Sequence, residues 1–307
     1  MFTFSSFRKL LFGVTVSSGG IVFSCFYVYK KNRPLNDYNV DVPSEKFRIK
    51  VFDDLAKNYD EKNDFVEKIT SISKYKKKNF RKVRGVVLEI GAGTGRNFNF
   101  FKNIDALVCV EKSEKMCEQL KKKIEKINPP YPVYVINNDI KNSYFKPDTF
   151  DSVVSSFSLC SLEHVDECLQ QVYEVMKQDG KFFLVERGII YNKFIRYILE
   201  KFDLYPNRKI PWEYGYYENR SPLDILKNNG FNITFKMIKN AGSIYILIAK
   251  KIKRLPNKTL NENNQIYTNQ SADKDTPKKK EIHINEILLE KDKVPIYYIH
   301  TNDLKKN

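Results

Sequence analysis

The spacing of apolar positions changes along the chain, and the changes divide it. From residue 47 to about 84, Val51, Phe52, Leu55 and Tyr59, then Phe65, Val66, Ile69 and Ile72, recur at three- and four-residue intervals, which predicts helix. From residue 86 short apolar runs alternate with helical stretches. Residues 86–90 predict a first strand, closed by a Gly-rich turn and a helix from about Thr94. Residues 106–110 predict a second strand, followed by a charged helix over 113–127; after Pro129-Pro130 comes a third strand, 133–136. Residues 150–155 predict a fourth, and a helix from about 165 to 177 leads to a fifth over 181–186. Strands alternating with helices imply a parallel sheet with right-handed crossovers. The last two strands, 231–238 and 244–249, are separated by five residues including Gly242. That link is too short for a crossover helix and predicts an antiparallel hairpin. The expected fold is α/β: a doubly wound, Rossmann-like sheet of seven strands ending in a hairpin, over residues 45–250.

The flanks read differently. Residues 10–29 carry no charge and lie between Arg8-Lys9 and Lys30-Lys31. At about 1.5 Å per residue they span roughly 30 Å, the hydrocarbon thickness of a bilayer. Tyr27 and Tyr29 suit the membrane interface. A secretory signal has an apolar region of about 7–15 residues and a small-residue cleavage site. This stretch is longer and lacks that site, so residues 1–33 are expected to be an uncleaved transmembrane anchor. No acid precedes Asp37, which also suits a mitochondrial presequence. The expected location is a mitochondrial membrane, with another intracellular membrane as the alternative. Residues 34–44, with Pro34 and Pro43, read as a linker. Residues 251–307 are polar and expected to be mostly disordered, apart from short apolar islands at 282–289 and 294–299.

Composition narrows the function. Five cysteines without a CxxC pair and three histidines exclude a disulfide scaffold and a zinc finger. The net charge is +16, from 53 Lys and Arg against 37 Asp and Glu. Residues 45–250 hold +9 of it, and seven of those charges fall in the acid-free run 73–84. Close to an anchor, such a run is expected to meet anionic lipid headgroups, at about 1 kcal/mol per basic residue. RNA phosphates come second, because Tyr75 and Phe80 are the only aromatics in the run. A solvated helix face is the plain alternative.

The chemistry gathers at Glu89-Ile90-Gly91-Ala92-Gly93-Thr94-Gly95-Arg96-Asn97, where a strand turns. Glycine lets backbone approach a ligand closely. The GxGxG spacing is compressed relative to the GxGxxG dinucleotide fingerprint, and an acid stands inside the strand. A carboxylate beside the loop suits an ammonium and a sulfonium better than a pyrophosphate. Glu111 ends the second strand, where a carboxylate accepts ribose hydroxyls, and Asn138-Asp139 end the third, placed to read an adenine edge.

In these features the chain resembles the class I S-adenosylmethionine-dependent methyltransferases over about residues 45–250. The resemblance implies S-adenosylmethionine as cofactor. It implies Gly91, Gly93 and Gly95 along the methionine part, Glu89 near its ammonium, Glu111 on the ribose, and Asp139 with the Ile140 backbone at the adenine. Ala92, Thr94, Asn97, Lys112, Asn138 and Ser156 complete the implied contact set. The stretch 51–60 looks like the class's N-terminal capping helix, with Tyr59 closing over the cofactor. Phe157-Ser158-Leu159-Cys160-Ser161-Leu162 and Glu186-Arg187-Gly188 resemble a membrane-anchored subgroup that includes alkyl-thiol S-methyltransferases and a fungal mitochondrial inner-membrane protein. Gln178-Asp179-Gly180 departs from the usual Pro-Gly-Gly. The expected activity is methyl transfer to a small or lipid-like acceptor. An RNA methyltransferase using the basic run, and a membrane-bound assembly factor with this fold, are the alternatives. Cys160 and His164 follow the fourth strand, and neither is assigned a catalytic role.

Overall fold

A computed structural model describes residues 43–143, 145–252 and 297–300. The expected anchor, most of the expected linker and most of the tail lie outside these residues. Among the described residues, no helix is long and apolar enough to cross a membrane.

The helical stretch before the sheet is three helices: α1 (Glu45–Leu55), α2 (Tyr59–Ile69) and α3 (Ile72–Phe80). Ser44 starts the first, its Oγ accepting from Phe47 N at 3.3 Å. Ser71, in the left-handed region at φ 60°, separates the second from the third.

The parallel strands are β1 (Arg84–Ile90), β2 (Asn103–Glu111), β3 (Val133–Asn137), β4 (Phe150–Ser156) and β5 (Met176–Arg187). Helix α4 (Glu114–Ile127) joins β2 to β3, and α5 (Val165–Val175) joins β4 to β5. Three further helices follow β5: α6 (Lys193–Lys201), α7 (Ile210–Tyr214) and α8 (Pro222–Asn228). The hairpin β6 (Phe231–Lys239) and β7 (Ile244–Lys251) closes the domain, with Met237 opposite Ile246. β7 runs antiparallel to β5, with Leu184 opposite Leu247. The seven expected strands and their hairpin are present.

The helix expected from about Thr94 is not. Only a 3₁₀ turn at Phe98–Phe100 follows the Gly loop, and β2 already begins at Asn103. Gly95 has φ +77°, and a Cβ there would stand 2.6 Å from Leu120 Cδ1. With Phe98 and Phe101 both buried, this short link is a packed turn with no room for a helix.

Strand order is β6-β7-β5-β4-β1-β2-β3, extended at the β3 edge by β8 (Tyr297–His300). That eighth strand overlaps the apolar island at 294–299 and runs parallel to β3, Asn137 opposite His300. Both faces of the sheet are packed. Leu88 and Ile90 join one core with Phe150 and Phe182, while Val87 joins the other with Leu107, Val135 and Val154. Such strands read as continuous apolar runs, which made them legible. The order reverses between β1 and β4, and a doubly wound sheet opens a crevice there, at the strands' carboxyl ends.

Candidate active site

An open cavity occupies that crevice. The Gly loop forms its floor. Gly91 and Gly93 both have positive φ, +59° and +56°. A Cβ on Gly91 would lie 2.6 Å from Ser158 Oγ, whereas one on Gly93 would meet nothing within 4 Å. The loop therefore leaves a bare backbone cradle on the cavity side. Glu111, at the end of β2, accepts from Gly93 N and Ser113 N, each at 2.8 Å. Burial pushes its pKa up, against the pull of those backbone donors.

The third strand adds Asn138, Asp139 and Ile140. Asp139 caps its own turn, accepting from Lys141 N at 3.1 Å, and binds Lys112 Nζ at 2.8 Å. Lys112 also pairs with Glu45 of α1 at 2.6 Å, and Ser113 Oγ donates to Asp53 at 2.6 Å. These contacts hold α1 over the cavity. From that helix Glu45, Arg48, Ile49 and Phe52 line it. Arg48 is buried; it donates to the Ser161 carbonyl at 2.9 Å, pairs with Glu163 and stacks 4.8 Å from the Tyr217 ring.

Of the residues expected from the sequence, Tyr59, Gly91, Gly93, Glu111, Lys112, Asn138, Asp139, Ile140 and Ser156 line the cavity. Five do not reach its wall. Glu89 lies beneath the loop, 1% exposed, where Asn97 donates to it at 2.6 Å; its other oxygen has no partner, and burial pushes its pKa up to about 7. Thr94 donates to Asp60 at 2.5 Å, Ala92 is buried, and Gly95 packs on Leu120 and Phe98. These five shape the loop from behind. The Tyr59 phenol is pushed up to about 12, mainly by desolvation.

The wall not foreseen from the sequence comprises the α1 face, Met116 on α4, and Phe157, Ser158, Ser161 and Leu162 after β4. The α1 signal was available: positions 45, 48, 49 and 52 share one helical face. Phe157 sits at φ 59°, a conformation that costs roughly 1–3 kcal/mol for a bulky residue. Buried Glu186 holds that turn, accepting from Ser155 Oγ at 2.6 Å and Ser158 N at 3.1 Å, with its pKa pushed up to about 7 by burial. Cys160 is buried and its thiol is pushed up to about 12, mainly by desolvation, so it stays protonated. His164 is an exposed helix start 3.3 Å from Glu167.

The basic run is not one outward face. Lys76 points inward, 2% exposed, with Nζ 2.8 Å from Glu67 and 5.0 Å from the Phe157 ring centroid. It is unavailable to headgroups, because the packed side of α3 carries Ile72, Lys76, Asn79 and Phe80 into the core. Lys74, Lys77, Lys78, Arg81, Lys82 and Arg84 remain exposed.

The donor set fits S-adenosylmethionine. The open side of Gly93, the Glu111 carboxylate and the Ser156 Oγ, which is buried without a partner, all meet the cavity. Residues 88–184 match the family described as "Methyltransferase domain". That match and the shared fold support a class I S-adenosylmethionine-dependent methyltransferase, with S-adenosylmethionine as the cofactor that the site's donors fit. Within that class the chain resembles the membrane-anchored subgroup. It is 23% identical over 238 residues to "Methyltransferase OMS1, mitochondrial" of Saccharomyces cerevisiae, covering 72% of this chain but only half of the yeast protein. It is 26% identical over 227 residues to "Demethylmenaquinone methyltransferase" of Lactobacillus johnsonii, covering 66% of this chain and 93% of that protein. The fold is shared with the DhpI-SAH complex structure at TM-score 0.50 and 16% identity, covering 68% of this chain and 98% of that one.

Proposed function

We propose that the protein transfers the methyl group of S-adenosylmethionine to a small or lipid-like acceptor at a membrane, with the mitochondrial membrane as its site. The observation that carries this reading is the two-sided cavity. Gly91, Gly93 and Glu111 stand on its cofactor side, and Ile49, Phe52, Met116, Phe157 and Leu162 give it an apolar wall. The cofactor supplies an electrophilic methyl group. The chain's part is to orient an acceptor in line with it and to exclude water. Arg48 and Lys112 fasten α1 over the cavity, which serves the second task. An apolar wall favours an acceptor that itself partitions into lipid. The name of the bacterial relative, a demethylmenaquinone methyltransferase, supports an acceptor of that kind, and the name of the yeast relative supports the mitochondrial address. The uncharged run at 10–29 supports membrane attachment.

The full chain, incubated with methyl-labelled cofactor and a mitochondrial extract, is expected to place label in the organic-soluble fraction. Label confined to RNA would overturn the acceptor class. Cofactor binding without any transfer would favour the assembly-factor reading.

A further inference from the structure

Helix α6 leaves none of its nine residues buried. Phe194 is 73% exposed and Tyr197 58%. At 100° per residue its exposed face carries Phe194 and Tyr197 beside Lys193, Glu200 and Lys201, while Ile198 and Leu199 turn towards the domain and are half-buried. Single exposed apolar residues need no explanation, but these have neighbours. The last turns of α2 expose Phe65 (69%) and Ile69 (65%). The β6–β7 turn joins the two helices: Asn240 Nδ2 donates to the Thr70 carbonyl just past α2, and Tyr191 N, just before α6, donates to the Gly242 carbonyl. The elements bearing these apolar residues thus meet at one turn; Lys68, Lys74, Lys193, Lys236 and Lys239 are exposed on them and on the adjoining elements, against the exposed acids Asp64 and Glu200.

We propose that this surface lies on an anionic lipid bilayer, with Phe65, Ile69, Phe194 and Tyr197 entering the headgroup boundary. Large apolar side chains beside lysines are the pattern of an interfacial, membrane-lying element. A second copy fits poorly, because a self-complementary contact would set these lysines against one another. Tether length agrees with a bilayer. Thirteen residues separate Tyr29 from Pro43, at most roughly 45 Å of extended chain, so an inserted run at 10–29 would keep the domain near the membrane. The placement also orients the cavity. α2 begins at Tyr59 in the cavity wall and ends at Ile69 on this surface, eleven residues or about 16 Å later. A lipid-like acceptor would then enter within one short helix of the bilayer.

The test uses the full chain in vesicles of phosphatidylcholine and phosphatidylglycerol at 4:1, with Cys25→Ser so that the remaining native cysteines are buried ones. A polarity-sensitive fluorophore is attached at Phe194→Cys, at Phe65→Cys or, as control, at exposed Lys102→Cys by the amino end of β2. Emission at 194 and 65 is expected to shift to the blue and to be quenched several-fold by spin-labelled lipid, less at high salt, with neither change at 102. Unquenched emission at 194 and 65 would overturn the proposal. So would a blue shift that follows protein density and ignores the lipid quencher, which would mean a protein partner. Phe65→Ser/Phe194→Ser/Tyr197→Ser alters only exposed residues and should abolish quenching of a probe at Tyr191→Cys. Persistent quenching there would show that these side chains are not the contact. Neither readout depends on methyl transfer, so the surface and the enzymatic reading can fail separately.

Discussion

Lys76 Nζ lies 2.8 Å from Glu67 Oε1, and both side chains are almost wholly removed from solvent. Burial lowers the Lys76 pKa, with the Glu67 carboxylate opposing that shift. A buried pair is worth little net but costs much to break, about 3–5 kcal/mol when one partner is lost. Arg96 also reaches Glu67, at 3.3 Å, so Lys76→Gln should fall near about 3 kcal/mol. Lys77→Gln, on the exposed side of the same helix, should stay within about 0.5 kcal/mol. Urea unfolding of the two variants compares them, and equal midpoints would contradict the assigned orientation.

Glu111→Ala should weaken S-adenosylmethionine binding at least tenfold. With Glu111 assigned to the ribose, the change would remove charge-assisted acceptors for its hydroxyls, worth about 1.5–3 kcal/mol each, and free the Gly93 N–H that Glu111 now holds. Isothermal titration measures this. An unchanged dissociation constant would place the ribose elsewhere.

Gly91→Ala should damage the site more than Gly93→Ala. Both need positive φ, at a cost of about 1–2 kcal/mol for alanine. Only at Gly91 does the new methyl also collide with Ser158 Oγ, which donates to the Ile90 carbonyl at 2.7 Å. Thermal stability should therefore fall further for Gly91→Ala. Gly93→Ala, whose methyl projects into open space, should chiefly lower cofactor affinity. Reversed effects would reverse the reading of the loop.

Glu186 makes stability fall as pH rises. Its pKa is about 7 in the fold against 4.5 unperturbed, so between those values the folded state holds a proton that the unfolded chain has released. The contribution is full below about pH 4.5 and is lost as pH climbs through about 7, on the order of 3 kcal/mol. Glu89, shifted the same way, adds to the slope. Glu186→Gln keeps an acceptor for Ser155 and Ser158 and should flatten the decline. Urea midpoints at pH 5 and pH 7.5 check it; parallel declines in parent and variant would exclude Glu186 as a source.

What the sequence revealed was what is local. The central strands announced themselves because they are apolar on both faces and β6 because it alternates, and the Gly loop with Glu111 because backbone clearance and a strand-end acid are written in residue type. Lys76 was hidden among six similar neighbours, yet its stripe with Ile72, Asn79 and Phe80 is helical and marks the packed face. The turn after Gly95 was misread as helix because short-range pattern does not register the burial of Phe98 and Phe101. Helices α6 and α7 bury none of their residues and so lack the apolar stripe that makes a helix conspicuous. The shared face of α1 at 45, 48, 49 and 52 is legible in the sequence, but its placement is not, since nothing in its own residues says that Lys112 and Ser113 will hold it over the crevice.

Strand β8 bears on how the protein should be handled. Tyr297–His300 pairs along β3, whose Val133, Tyr134, Val135 and Ile136 are all buried. A polypeptide ending at residue 252 would keep the cofactor cradle but bare that apolar edge, with its unpaired N–H and C=O groups, and such an edge recruits other strands. Light scattering should show the shortened protein self-associating at concentrations where the full chain stays dispersed. Paired in this way, β8 covers an edge that would otherwise be open to a second chain.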